Sequence, residues 1–481
     1  MKKFKKMCIF LIVVILAACF LACDTGVKED GYARVIPPAP DPSAAEGQLK
    51  VVGNKIFNAQ TGEEVRLTGA NVWEYDIVSS GGRYKFARSM DWAYNEWHAN
   101  IIRLPLEIDA TEIYTGSTKR PQGDIPAYLD AMKDLVQVAV NNKKYVILDL
   151  HEYIMLRERD MSFWRKWAQV PEFANNPYVI FGLLNEPHDV SWETWRNGGY
   201  ETPDGEYLYG LQQCLEMIRD LGAKNIVIAA GLDWGYDLRG VVGQLPGDRK
   251  NYALIDQGSG GDKSKTGYGI IYDTHIYPWK GMQEWFNGGA VPGKTLEFFQ
   301  NDWALKNGGA RKAVPVICGE CGWQFSDTAN ILNGMFDFRR QDYRNQVMED
   351  EFGADETGGT GRMGASYHAN WMPALLRYFD DDKTYGSKMN YTAWCWSLGA
   401  SPILLRPTSQ SVGNDPKNYG HYDADVAAQL NLLNSGSRDA TNPLTPAEEA
   451  YLYAPNYYSG QYFYDHMRQA ARDRGEPVDN E

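Results

Sequence analysis

The chain has 481 residues, 44% of them hydrophobic and 13% aromatic, and a net charge of −14. That composition excludes an intrinsically disordered chain, and the length suits one α/β barrel with insertions better than two or three separate units. Setting aside the four lysines of residues 1–23 leaves 44 cationic against 62 acidic side chains, a balance of −18 that repels phosphate and other polyanions and points to neutral partners, with no role for nucleic acid.

Residues 1–23 stand apart from the fold. Lys2, Lys3, Lys5 and Lys6 precede an apolar run that reaches Ala22, the pattern of a secretory signal. Leu16-Ala17-Ala18-Cys19 and Phe20-Leu21-Ala22-Cys23 both resemble a bacterial lipobox, so either Cys19 or Cys23 is the expected lipidation site. The expected location is the bacterial cell envelope, with membrane contact only through the N-terminal lipid; the alternative is an ordinary cleaved signal and plain secretion. Residues 24–48 are polar and contain Pro37-Pro38-Ala39-Pro40, which reads as a flexible tether. Residues 49–481 then read as one catalytic domain, expected to be a monomer.

That domain opens with an expected β-hairpin, its two strands joined by Gln60-Thr61-Gly62. Eight apolar runs follow, at residues 65–72, 100–106, 145–151, 178–185, 225–231, 269–277, 314–320 and 391–397. Helical patterns lie between them, at 125–140, 163–173, 207–221 and 370–379; in the first, Leu129, Met132, Leu135, Val136 and Ala139 form one stripe. Near-continuous apolar strands separated by helices imply a parallel sheet covered on both faces, and eight of them imply a (β/α)8 TIM barrel. Two connections are unusually long, 324–364 after the seventh strand and 402–442 after the eighth, and loops of that size tend to be functional or disordered. Residues 443–474 read as a closing helical segment.

Polar residues gather at the C-terminal ends of these runs: Arg103, Asp149, His151, Asn185, Glu186, His275, Tyr277, Glu320, Trp394 and Trp396. Singly, each has a structural explanation, Arg103 as a rim ion pair and His275 as a satisfied core histidine. Together they mark the face on which barrel enzymes carry their chemistry. Asp149 and His151 share strand parity, as do His275 and Tyr277, and Glu320 shares parity with Cys318, whose small side chain would suit a crowded interior.

Two carboxylates across a barrel mouth suit glycoside hydrolysis, in which one gives a proton to the leaving oxygen and the other attacks the anomeric carbon. Glu186 is read as acid/base, its proton affinity raised by Glu320, and Glu320 as nucleophile, kept ionised by Arg103 and Tyr277. Asn185 would bond the sugar 2-hydroxyl, and Trp396 would be the floor under the reacting ring. The 15 Trp and 30 Tyr serve either sugar stacking or packing between helices and sheet. Cys318 and Cys321 form a Cys-x-x-Cys, but no second cysteine pair lies nearby, so they read as buried apolar residues and no metal is expected.

The segments Asn100-Ile101-Ile102-Arg103-Leu104-Pro105, Asp149-Leu150-His151, Leu184-Asn185-Glu186-Pro187-His188, His275-Ile276-Tyr277, Gly319-Glu320 and Trp394-Cys395-Trp396-Ser397 resemble, strand by strand, the motifs of glycoside hydrolase family 5, the cellulase and mannanase family. Thr68-Gly69-Ala70-Asn71 after the hairpin is also similar to the family's opening. The resemblance runs from about Leu49 to the C-terminus. It implies a retaining (β/α)8 hydrolase without cofactor, acting on neutral β-1,4-linked polysaccharide or oligosaccharide. A β-glucan is the first expectation; a β-mannanase or xyloglucanase of the same clan is the alternative. The sequence departs from the family at Ala99, where glycine is usual, at the two cysteines flanking Glu320, and in its long loops. A non-catalytic surface glycan-binding lipoprotein is the rival of another class; it would have lost a glutamate or its supporting residues, and all are present.

The two lipobox-like sites make a prediction about the cell. Replacing both Cys19 and Cys23 by Ser should move the protein from the membrane pellet to the soluble fraction of fractionated cells; continued sedimentation of the double variant would refute anchoring there.

Overall fold

The computed structural model describes residues 35–73, 80–106, 125–277, 303–322, 363–396, 404–405, 438–455 and 459–479. Eight parallel strands close into a barrel: β1 (Thr68–Val72), β2 (Ile101–Leu106), β3 (Tyr145–Leu150), β4 (Val179–Gly182), β5 (Val227–Ala230), β6 (Ile270–Ile276), β7 (Val316–Cys321) and β8 (Asn390–Trp396). Each strand pairs with the next in sequence, and β8 returns to pair with β1. Every apolar run expected to be a strand is one.

The described helices are α1 (Ser80–Asn95), α2 (Ile125–Asn141), α3 (Glu158–Trp167), α4 (Leu211–Asp220), α5 (Ala304–Ala313), α6 (Met363–Asp380), α7 (Pro446–Leu452) and α8 (Ser459–Asp473), besides shorter turns. The sequence reading did not anticipate α1 and α5. Both carry a Gly-Gly pair, which lowers helix propensity. Packing overrides propensity in α5, where a side chain at Gly309 would lie 2.1 Å from the Gln244 amide oxygen.

Strand alternation divides the apolar residues into two cores. Ile102, Leu104, Leu106, Val146, Leu148 and Leu150 face outward and pack with the helices. Ile101, Ile147, Ile180, Ile228, Ile271 and Ile317 face inward and fill the lower barrel together with Leu49 and Ile56 of the N-terminal hairpin. That hairpin pairs Leu49–Val52 with Lys55–Asn58, and Val51 N donates to Tyr268 O at 2.9 Å, so it plugs the bottom of the barrel. The upper interior is left to polar residues.

Order begins earlier than Leu49. Asp41 N donates to Ala59 O at 3.0 Å, Ala59 N to Gln48 O at 2.7 Å, and Tyr145 Oη to Gly47 O at 3.0 Å. The final residues of the 24–48 stretch are therefore fastened to the hairpin and β3 by main-chain bonds that composition does not reveal. Cys19 and Cys23 lie outside the described residues, as do the 324–364 and 402–442 loops apart from 363–364, 404–405 and 438–442. Among the described residues, no helix is long and apolar enough to cross a membrane.

Helix α3 starts at Glu158 rather than near residue 163 because Asp160 caps it: the Asp160 carboxylate accepts from Arg157 N at 2.7 Å. Burial pushes the Asp160 carboxyl up to about 6, against the pull of that backbone bond. A folded value above the ordinary 3.8 means that its stabilising contribution is complete below the unfolded value and lost as pH rises through about 6. Asp160→Asn, which keeps the acceptor and removes the charge, should therefore be more stable than the wild type at pH 8, by about 1–3 kcal/mol. Thermal melts across pH 4.5–8 should show the gap closing on the acid side; a constant gap would contradict the buried charge as its cause.

Candidate active site

At the C-terminal mouth the inward positions of the strands change from isoleucine to charged and amide side chains, and these share hydrogen bonds instead of lying separately in the interior. Arg103, 1% exposed, is the hub. Its Nη1 donates to Asn71 Oδ1 at 2.8 Å and to Glu320 Oε1 at 2.9 Å. Its Nη2 donates to Asn185 Oδ1 at 2.6 Å and lies 2.9 Å from Asp149 Oδ2. Burial opposes the guanidinium charge, but Asp149, Glu320 and Asp273 outweigh it and hold the pKa above its ordinary value. Asp149 also lies 3.1 Å from His151 Nδ1.

The second oxygen of Glu320 accepts from Tyr277 Oη at 2.9 Å. Burial, followed by the charges of Glu320 and Glu186, pushes the Tyr277 phenol well above its usual range, so it stays a donor. His275 Nδ1 lies 2.8 Å from Glu186 Oε1 and 3.7 Å from Glu320 Oε2, and its Nε2 lies 3.3 Å from Asp273 Oδ2. Burial works against a charged imidazole; Glu320 and Asp273 outweigh it and raise the His275 pKa to about 9. At neutral pH His275 is therefore an imidazolium with both nitrogens donating. One oxygen of Glu186, one oxygen of Glu320 and a His275 nitrogen lie within 4.8 Å of one another. Such a trio could hold a cation only after losing the imidazolium proton, because a metal ligand needs a free lone pair.

Parity alone does not explain how Glu320 enters this cluster. Cys318 and Cys321 both belong to the outer core, and Ile317 faces inward. The pairing with β6 runs Thr274↔Cys318 and then His275↔Glu320, so Gly319 is an extra residue on β7. This bulge turns Glu320 inward, opposite His275. The expectation that Cys318 shares the interior with Glu320 is thus corrected. The bulge is fully bonded: Gly319 N donates to Asp273 Oδ1 at 2.6 Å, and Gly319 O accepts from Thr392 Oγ1 at 2.6 Å and from Asn71 Nδ2 at 2.7 Å. Glycine is required here, because a Cβ would lie 2.2 Å from Asp273 Oδ2; likewise one at Gly182 would lie 2.7 Å from Asp149 Oδ1. Burial raises the Cys318 thiol well above its usual pKa, and its Sγ lies 3.3 Å from Glu320 O.

A second irregularity moves a predicted residue out of the site. Pairing of β8 with β1 runs Ala393↔Ala70 and then Trp396↔Val72, three steps against two. Trp396 consequently faces outward, fully buried against Trp97 (ring centroids 4.6 Å apart) and Tyr453 (5.8 Å). It cannot be the floor under a sugar ring. Trp394 takes the inward place, clustered with Tyr277, Cys395 and Trp73 and stacked on His151 with centroids 5.5 Å apart and planes at 12°. From Trp394 a row of rings crosses the mouth: His151 to Tyr153 at 5.9 Å, Tyr153 to Trp234 at 6.0 Å, and Trp234 to His188 at 3.5 Å.

Arg103, His151, Asn185, Glu186, His275, Tyr277 and Glu320 are therefore brought together as the sequence suggested, and Trp396 is not. Asp273, Thr392, Tyr153 and Trp234 were missed. Asp273 had a usable signal, a charged residue two positions before His275 on an apolar strand. Trp234 had none, since it sits on a loop.

The family model described as cellulase (glycosyl hydrolase family 5) matches residues 59–398. An endoglucanase of Halalkalibacter akibai is 26% identical over 248 residues, which covers 47% of this chain and 28% of the relative. The manganese dependent endoglucanase of Phanerodontia chrysosporium is 28% identical over 187 residues, 35% of this chain and 44% of the relative. The matches thus span less than half the length of these curated relatives. A β-glucanase of Saccharophagus degradans, solved in complex with cellotetraose, superposes with a TM-score of 0.52 at 18% identity over 90% of this chain and 97% of that one, which establishes a shared fold.

The imidazolium makes a pH prediction. Because the folded value of about 9 lies above the ordinary 6.5, His275 contributes stability that is complete below pH 6.5 and lost as pH rises through about 9. His275→Asn should melt below the wild type at pH 6, and the two melting curves should converge by about pH 10. Parallel pH profiles would show that His275 is neutral in the fold.

Proposed function

The chain belongs to glycosyl hydrolase family 5, and on that premise we propose that it hydrolyses a β-1,4-linked glucan with retention of configuration, Glu186 serving as acid/base and Glu320 as nucleophile. The observation that carries this reading is that two glutamates with oxygens within 4.8 Å have different partners, Arg103 and Tyr277 donating to Glu320 and His275 to Glu186. Retaining glycosidases hold their carboxyl groups about 5–5.5 Å apart, too close for an intervening water, whereas inverting enzymes need about 6.5–9.5 Å.

Glu320, with Arg103 and Tyr277 donating to its two oxygens, attacks the anomeric carbon. Glu186 passes a proton to the departing glycosidic oxygen, and the imidazolium of His275 on Glu186 Oε1 keeps a proton within the pair. The C–O bond to the leaving sugar breaks as the bond to Glu320 forms. Water then displaces Glu320, giving its proton to Glu186 and returning the pair to its starting state. Asn185, oriented by Arg103, is placed for the sugar 2-hydroxyl.

Aromatic rings flank this centre on both sides. Trp73 and Trp394 lie by Tyr277, the donor to Glu320; Tyr153 and Trp234, 38% and 41% exposed, lie by Glu186, which Tyr153 partners in a short parallel pair. Rings on both sides favour binding within a chain over binding at its end, hence endo action. We also propose export with a lipid anchor at Cys19 or Cys23, supported by the basic and apolar run and its lipobox-like sites.

Wild-type enzyme should release new reducing ends from soluble β-1,4-glucan faster than from mannan or xyloglucan; preference for either of the latter would move the assignment to the alternative substrate. Glu186→Gln should lose about 10²–10⁴-fold on glucan and much less, in the glycosylation step, on an aryl glycoside with an acidic phenol. Glu320→Ala should be folded and inactive, with azide restoring turnover to a product of inverted configuration. Inverted product from the unmodified enzyme would overturn the two-step mechanism.

A further inference from the structure

We infer that His188 is a positioning residue that holds Trp234 as a stacking platform for the sugar ring on the leaving-group side of Glu186, a role that rests on the glycosidase reading above. Trp234 sits in an improbable backbone. Asp233, Trp234 and Gly235 have φ of 59°, 60° and 73°, three left-handed residues in succession. A bulky aromatic residue in that region persists only where its surroundings over-determine it, and such residues gather at ligand-binding sites.

Four bonds hold the turn. Leu232 N and Asp237 N donate to each other's carbonyls at 3.0 and 2.8 Å, Trp234 N donates to Pro187 O at 3.1 Å, and His275 N donates to Gly235 O at 2.9 Å. The indole then rests face to face on the His188 imidazole, with centroids 3.5 Å apart and planes at 11°. Trp234 nevertheless keeps 41% of its surface exposed, beside the 38% exposed Tyr153. So much apolar ring surface, aimed outward by a costly backbone, suits the flat C–H face of a β-linked pyranose.

His188 is itself fixed. Its Nδ1 lies 2.8 Å from Asp189 Oδ2, and Asp189 is also left-handed at φ 55°. The carboxylate sets the ring rotation, since an Nδ1–H donates to it. His188 N donates to Ile154 O at 3.1 Å, extending the short pair in which Tyr153 partners Glu186 and Ile154 partners Pro187. Tyr153, Glu186, His188 and Trp234 therefore form one connected unit, and a ring stacked on Trp234 is registered against the proton donor. His188 is separated from Glu186 by one residue and does not touch the reacting atoms.

The test separates binding from chemistry. On cellotetraose and soluble β-glucan, His188→Ala should raise KM roughly 2–10-fold, the size of one lost aromatic pair, with kcat within about twofold of the wild type. His188→Phe, which restores a flat ring but not the Asp189 bond that sets its rotation, should recover most of the rise in KM. In a Trp234→Ala background, His188→Ala should add no further rise. An unchanged KM in His188→Ala, an equal loss in kcat, or failure of His188→Phe to rescue would overturn the proposal.

Tryptophan fluorescence titrated with cellotetraose needs no turnover. Quenching in the wild type at concentrations well below those needed for His188→Ala supports the platform, and identical titrations overturn it. Absence of hydrolysis by the wild type would overturn the functional reading alone, leaving this titration to decide the platform.

Discussion

Everything at the mouth of the barrel depends on keeping charge in a place that water cannot reach. Arg103 is 1% exposed and His275 is fully buried; an unpaired charge there would cost several kcal/mol, on the order of the whole stability of a domain. Asp149 and Glu320 answer Arg103, and Asp273 and Glu186 answer His275. Asn71 and Asn185 complete the guanidinium's bonds. The array is redundant as well as complete: Arg103 and His275 each have more than one carboxylate partner, so losing one carboxylate weakens the compensation without leaving either cation alone. The groups that such an array orders are those a glycosidase needs in fixed positions, two carboxylates with donors aimed at them before substrate arrives.

Backbone irregularities make room for this array. Glycines at 182 and 319 leave space for the two aspartates, and the extra residue at Gly319 turns Glu320 toward His275. The bulge costs a ladder pairing, yet its N–H and C=O are bonded by Asp273, Thr392 and Asn71, so no backbone group is orphaned. A second irregularity on β8 exchanges one tryptophan for another, taking Trp396 into the packing layer and leaving Trp394 at the mouth. Bulges at barrel rims re-aim side chains in this way, and here one acts on Glu320 and the other on the tryptophans of β8.

The lower half of the barrel shows the complementary design. It is filled by isoleucines from the strands and plugged by the N-terminal hairpin. A rigid apolar base leaves the upper mouth as the place where polar groups converge, and it holds the strand ends at fixed separations, which is what a two-carboxylate mechanism requires.

Strand order, the closed parallel barrel and the place of Glu186 and Glu320 at its mouth were legible from sequence, because burial on both faces writes continuous apolar runs and because charged residues at their ends stand out against them. Helices α1 and α5 were not legible, since their glycines speak against helix and only packing reverses that. Nor was the direction of the last residue on β7 or β8: a single inserted residue inverts side-chain parity, and whether a strand bulges is decided by what its neighbours can bond and fit. The same holds for Trp234, which becomes part of the site only because a left-handed turn lays it on His188. Which residues carry charge, and on which strands, can be read along the chain; which way the ends of β7 and β8 face cannot, because that depends on register between strands distant in the chain.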